Sequence, residues 1–163
     1  MKTRRLKKVL IALDYDPTAQ IVAEAGFSLA KALKAEVILI NVISDPAYYS
    51  SAKPFTVMGF AGQIETDMLP VKSVMKLKKV SQQYLDKSKH HLGDITIQTI
   101  VAEGDPAESI LLTVKKKRAD IIVLGTHSRN RLGSLVMGSV TEKVMRQTSV
   151  PVFIIPTRKA SQI

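Results

Sequence analysis

Four short runs of aliphatic and β-branched residues constrain this chain more than any other feature: Val9 to Leu13, Glu36 to Ile43, Asp120 to Leu124 and Val150 to Ile155. None alternates apolar with polar residues along its length, so each reads as a strand covered on both faces, the pattern of a parallel sheet between helices. A fifth run, Ile95 to Val101, does alternate, which predicts an edge strand with one wetter face. Helical periods separate the strands. Ala19, Val22, Ala23, Gly26, Ala30 and Leu33 recur three and four apart, behind Asp16-Pro17 as expected N-cap and first turn. A second helix is expected over 68–92, with Val74, Leu77, Tyr84, Leu85 and Leu92 inward. A third opens at Asp105-Pro106-Ala107-Glu108, where Asp caps, Pro starts the turn and Glu has capping-box spacing. A fourth runs from about Ser139 to Thr148, and Ser139-Val140-Thr141-Glu142 has the same box spacing. The order β-α-β-α-β-α-β-α-β implies an α/β domain with right-handed crossovers and helices on both faces. At 163 residues and 45% hydrophobic content, the chain suits one domain spanning 1–163.

One connection breaks the short-loop rule. Residues 44–67 show no clear periodicity and hold Tyr48, Tyr49, Phe55 and Phe60, half of the eight aromatics. Loops that long are usually functional; these rings either close over a ligand or partner chain, or plug the top of the sheet. Residues 157–163 are expected to form a loose tail. The chain lacks cysteine, which excludes a disulfide framework, thiolate metal sites and a cysteine nucleophile. The basic start, Lys2 to Lys8, resembles a signal-peptide n-region, but the apolar run behind it ends at Asp14 and is too short. No run reaches the roughly 18 apolar residues of a spanning helix. A cytoplasmic protein without membrane contact is expected.

Twenty-four Lys and Arg against 14 Asp and Glu give a net charge of +10, which favours anionic partners. The cations cluster at Arg4 to Lys8, Lys72 to Lys79 and Lys115 to Arg118. Solvated helix faces account for such runs more often than binding does. Without interleaved aromatics, nucleic acid is not an expected partner.

In an open α/β sheet, ligands bind beyond the carboxyl ends of the strands, where strand order reverses. Asp14 follows the first strand. A polar, basic segment, Gly125 to Ser134, follows the fourth and leads to Gly138-Ser139-Val140 at a helix start, whose open N–H groups and dipole suit phosphate. Arg129 and Arg131 add charge for phosphate oxygens. An ordinary capped helix after a turn is the competing reading. Gly133-x4-Gly138 is not a Walker A, because Ser139-Val140 stands where Lys-Ser/Thr would follow, and no G-x-G-x-x-G or G-x-S-x-G is present. His127 and Ser128 are merely adjacent, which makes no catalytic pair. His90 and His91 fall near a helix C-terminus and read as structural.

These residues resemble the universal stress protein family, in particular its nucleotide-binding branch. The resemblance covers almost the whole chain, through the strand ending at Asp14, the strand end at Val42, Gly104-Asp105-Pro106, Ala119 to Gly125, Gly138 to Glu142 and Val150-Pro151-Val152. The family signature G-x2-G-x9-G-S/T maps onto Gly125, Ser128 and Gly138-Ser139 with every spacing kept and serine in place of the second glycine. The resemblance implies a Rossmann-like, three-layer α/β/α fold of the adenine nucleotide alpha hydrolase type, its five parallel strands in the order 3-2-1-4-5. It implies ATP as ligand, with AMP or ADP as variants. Asp14 would contact ribose or a phosphate-bound Mg²⁺, Val42 would offer its backbone to adenine, Gly125 would line the pocket, and Gly138, Ser139 and Val140 would take the phosphates. Ser128 would offer a hydroxyl where the family has glycine. It further implies a regulatory or stress-survival role, at most slow ATP hydrolysis, a homodimer through 150–155 and a protein partner. A nucleotide-free dimeric interaction module is the alternative.

Overall fold

The computed structural model describes residues 4–44, 57–59, 62–64, 74–126 and 137–157. The elements are β1 (Lys8–Ala12), α1 (Ala19–Leu33), β2 (Glu36–Ile43), β3 (Val57–Gly59), β4 (Gly62–Ile64), α2 (Val74–Leu92), β5 (Gln98–Glu103), α3 (Pro106–Lys117), β6 (Ile121–Gly125), α4 (Ser139–Gln147) and β7 (Val152–Ile155). Five strands form a parallel sheet in the order β5-β2-β1-β6-β7, which is 3-2-1-4-5 counted along that sheet's own strands. The alternating run lies at one edge as β5, fully buried at none of its positions. The apolar runs of β1, β2 and β6 occupy the centre.

Side-chain alternation along the central strands supplies two cores, one on each face. Val9, Ile11, Leu39 and Val123 pack with α1 and α2, where Ala23, Ala30, Tyr84 and Leu85 face inward. Leu10, Ile38, Ile40 and Ile122 pack with α3 and α4 through Ala107, Ile110, Val114 and Val144. Gly26 sets the spacing on the first face: a Cβ there would lie 2.8 Å from Ile11 Cδ1 and 3.1 Å from Val123 Cγ1. α2 buries Leu77, Ser81, Tyr84, Leu85 and Ser88, while Val74 and Leu92, expected inward, are only half-buried.

Three local expectations change. α1 starts at Ala19 with Thr18, not Asp16, as its N-cap. Asp16 Oδ1 instead accepts from the N–H and hydroxyl of Thr18 at 2.9 and 2.6 Å, so Asp16-Pro17-Thr18 forms a separate turn ahead of the helix. α4 has Gly138 as N-cap and Ser139 as its first helical residue, so no Ser139 capping box forms. The segment 44–67, expected to lack regular structure, contains the antiparallel pair β3-β4, in which Val57 faces Ile64. At α3, Asp105 caps as expected, accepting from Glu108 N–H at 2.9 Å with Pro106 in the first turn. Of the tail expected over 157–163, Thr157 is instead buried and its N–H donates to Thr126 Oγ1 at 3.1 Å, while residues from 158 onward lie outside the described residues.

Candidate functional site

The chain leaves β1 through a corner fastened from two other elements. Leu13 N–H donates to Ile40 carbonyl at 2.9 Å, extending the β1-β2 ladder by one bond. Asn41, buried between Ile40 and Val42 in β2, donates from Nδ2 to Leu13 carbonyl at 2.7 Å. Its Oδ1 accepts from the buried Ser81 hydroxyl of α2 at 2.6 Å. One residue on, Tyr84 Oη donates to Asp14 carbonyl at 2.7 Å. Burial first, and the Asp14 charge second, push the Tyr84 phenol far above its ordinary value, so it remains a donor throughout the neutral range. Tyr15 packs edge-on against Tyr84 with ring centroids 5.3 Å apart. The exposed Asp14 carboxylate accepts Asp16 N–H at 3.0 Å, which fixes its orientation at the carboxyl end of β1.

The β1-β6 register aligns Val9 with Ile121 and Ile11 with Val123, bringing the residues after Ala12 level with those after Leu124. The crevice therefore opens where the strand order reverses, between Asp14 and Gly125. Thr141, in the first turn of α4, donates its hydroxyl to Gly125 carbonyl at 3.0 Å and so pins the helix start to the end of β6. Thr126 continues the anchoring, its N–H on Ile155 carbonyl at 3.0 Å and its Oγ1 accepting from Thr157 N–H at 3.1 Å. With glycine as N-cap, α4 begins without a side-chain capping bond. Ser139 is exposed and Val140 half-buried. Helix starts of this kind present backbone N–H groups and a positive dipole end to an anion.

Val42 is paired with Ala102 of β5, and its side chain packs on the α3-α4 face. Backbone groups alternate sides along a strand, so its N–H and C=O point, like those of Ile40, toward β1. The β1-β2 register ends at Ala12 opposite Ile40, which leaves Val42 facing the crevice beyond that ladder. The structure thus gathers Asp14, Val42 and Gly125 at the carboxyl ends of adjacent strands, with Gly138, Ser139 and Val140 tied to the same end through Thr141. Ser128, Arg129 and Arg131 lie outside the described residues. Among the described residues no three His, Cys, Asp or Glu side chains come together as a metal cage. A single exposed carboxylate on a strand end does fit Mg²⁺, which usually takes one or two carboxylates along with ligand phosphates and water.

Asn41, Ser81, Tyr84 and Thr141 are site-building residues that motif reading passed over. The available signal was Asn41, an amide in a doubly buried strand, which needs a partner. Lys143 is another: it reaches Asp105 Oδ1 and Glu108 Oε1, both at 3.2 Å, and fastens α4 to the start of α3. The Asp105 carboxyl is held below the ordinary carboxylate range, chiefly by Glu108 N–H and then by Lys143. Its stabilising contribution is therefore complete above the ordinary value of about 4 and disappears as pH falls through the lowered folded value. Asp105→Ala should cost about 1 kcal/mol near neutrality. The gap between wild-type and variant melting temperatures should close as pH falls from about 5 to about 2, as calorimetry across that range would show.

A parallel sheet covered on both faces, with its crevice between the first and fourth strands of the sheet, defines the Rossmann-like class of α/β domains. Within that class, the profile of the universal stress protein family matches residues 5–156, and the chain belongs to that family. It is 29% identical to universal stress protein MJ0577 of Methanocaldococcus jannaschii over 160 residues, covering 94% of this chain and 97% of that protein. A solved structure of MJ0577 superposes with a TM-score of 0.69 at 27% identity, covering 97% of this chain and all of that one. Two more distant structures share the fold. A universal stress protein in complex with cAMP has a TM-score of 0.63 at 16% identity, covering 95% and 100% of the two chains. The universal stress protein of Archaeoglobus fulgidus in complex with dAMP has 0.55 at 14%, covering 93% and 98%. No helix among the described residues is long and apolar enough to cross a membrane.

Proposed function

We propose that the crevice binds an adenine nucleotide, with ATP as the principal ligand, and that its occupancy is the signal by which this protein acts in stress regulation or survival. The observation that carries this reading is the uncapped start of α4, held by Thr141 on Gly125 beside the fastened corner at Asp14. A fold neighbour bound to cAMP and another bound to dAMP support an adenine nucleotide as the ligand class. Backbone amides of Gly138, Ser139 and Val140 receive the phosphates, Gly125 lines the floor, and Val42 offers its backbone to adenine. Asp14 meets the ribose or holds Mg²⁺, which when bound neutralises phosphate charge. Arg129 and Arg131 add positive charge, and Ser128 a hydroxyl, from the connecting segment. AMP and ADP are further ligands of the same site. Hydrolysis is at most slow: Asp14, the candidate carboxylate at the end of β1, is already engaged and is poorly placed to activate water.

The protein acts in the cytoplasm as a homodimer that pairs along β7, the edge strand whose Phe153 is exposed and whose Val152 and Ile154 are only half-buried. A separate protein partner reads the nucleotide state.

Freshly purified protein should carry adenine nucleotide detectable by absorbance at 260 nm and mass spectrometry, and calorimetry should show saturable ATP binding. Gly138→Val is expected to weaken ATP about tenfold, the scale of one lost oriented phosphate contact. Ser128→Gly should bind at least as tightly as wild type, since glycine adopts the family's turn freely. ATP should survive long incubation. Absence of both copurified nucleotide and calorimetric binding would reject this reading in favour of the nucleotide-free dimeric module, toward which Ser128 at the second motif position points.

A further inference from the structure

At the opposite end of the sheet, where the strands begin, two basic runs far apart in sequence meet. Glu36 N–H donates to Lys7 carbonyl and Asp120 N–H to Lys8 carbonyl, both at 2.8 Å, which draws the first residues between β2 and β6. Asp120, 7% exposed, accepts from the N–H groups of Lys7 and Lys8 at 2.9 and 3.0 Å and pairs with Arg4 at 2.9 Å. Arg4 to Lys8 is thereby fixed beside the end of α3, with its run Lys115 to Arg118. Between them lies a concavity of about 570 Å³ whose lining side chains are all charged, five of them cationic against Glu36 and Asp120.

Complementing the helix dipole does not account for so many cations. The end of α3 is already closed by its backbone, with Arg118 N–H on Lys115 carbonyl and Ala119 N–H on Val114 carbonyl, and Lys8 Nζ takes Lys117 carbonyl at 3.1 Å. Glu36 pairs with Lys8, and Asp120 is spent on Arg4. Arg5, Lys7, Lys115, Lys116 and Arg118 are exposed and form no ion pair among the described residues. Such a concentration of like charge is self-repelling and calls for an anion.

We propose that this pole binds the phosphodiester backbone of double-stranded nucleic acid, as a second surface distinct from the nucleotide crevice. The lining favours that partner over its rivals. Among the described residues it has no aromatic ring on which unpaired bases would stack, as single strands need. Among the same residues it has no apolar side chain to enter a lipid interface. What it has is an excess of positive charge in a concave setting, which suffices for contacts to backbone phosphates.

The test is fluorescence anisotropy with labelled DNA and RNA duplexes of about 20 base pairs and mixed sequence, against a single strand of the same length and phosphatidylserine-rich vesicles. Binding to either duplex should fall about a hundredfold between about 50 and 200 mM salt if four phosphates are neutralised. Arg5→Glu/Arg118→Glu should weaken duplex binding at least about tenfold and lower the log–log salt slope by about two. Lys76→Glu/Lys79→Glu, the same charge change on α2, should weaken it less than about threefold. Unchanged melting temperatures and unchanged ATP titration in both variants keep folding and the crevice out of the comparison. No duplex binding, equal losses in the two variants, or tighter binding to single strands or vesicles would overturn the proposal.

Discussion

Replacing Asn41 with leucine should lower unfolding free energy by about 2–4 kcal/mol, because it strands two buried polar groups that each lose about 1–3 kcal/mol when a partner is removed. Leu13 carbonyl loses its Nδ2 donor and the Ser81 hydroxyl loses its Oδ1 acceptor, at a position only 2% exposed. Leucine has the same number of side-chain heavy atoms but a bulkier end, so any overpacking adds to the cost with the same sign. Urea denaturation should show a lower midpoint with an unchanged slope. Adding Ser81→Ala should restore part of the loss by deleting one stranded group, a coupling that a double-mutant cycle isolates. If the corner is part of the nucleotide site, ATP affinity should fall in Asn41→Leu under conditions where the variant is fully folded. A variant as stable as wild type would show that the amide fastens nothing.

Gly26→Val should cost about 2–3 kcal/mol by overpacking. α1 crosses β1 and β6 here, and the new Cβ alone would fall within 3.1 Å of both Ile11 and Val123. Both neighbours are fully buried, so the strain moves the helix outward instead of a surface side chain. Removing a helical glycine ordinarily helps by up to about 1 kcal/mol, which makes the sign informative. Thermal melts of Gly26→Ala and Gly26→Val should rank below wild type, valine lowest. Stabilisation by valine would show that α1 sits farther from the sheet than these contacts indicate.

The layer architecture was legible because it follows from two robust signals, doubly apolar runs and helical periods between them, whereas the strand order was implied by the family resemblance. The capping of α3 was also legible, since Asp105-Pro106-Ala107-Glu108 satisfies its helix start with its own side chain. Where two starts compete within three residues, local rules lose precision. Asp16 bonds to Thr18 and closes a preceding turn, and Gly138 displaces Ser139 from the cap. Candidate residues Asp14 and Gly125 were found because strand ends are recognisable in the sequence, and Val42 was implied by the family resemblance. The bonds that hold them were not. Asn41 to Leu13, Tyr84 to Asp14 and Thr141 to Gly125 join residues between 16 and 70 positions apart, and only the folded sheet brings them together. The meeting of the two basic runs was hidden for the same reason, since Lys7 and Asp120 are 113 positions apart.

The fastening of Leu13 and Asp14 by β2 and α2 has a consequence for any attempt to move this corner into another scaffold. A graft of β1 and α1 alone would carry the Asp14 carboxylate but neither the amide nor the phenol that holds its backbone. The smallest transferable block therefore runs from β1 through α2, and a chimera with its junction between β2 and α2 would inherit a corner that has lost half its clasps.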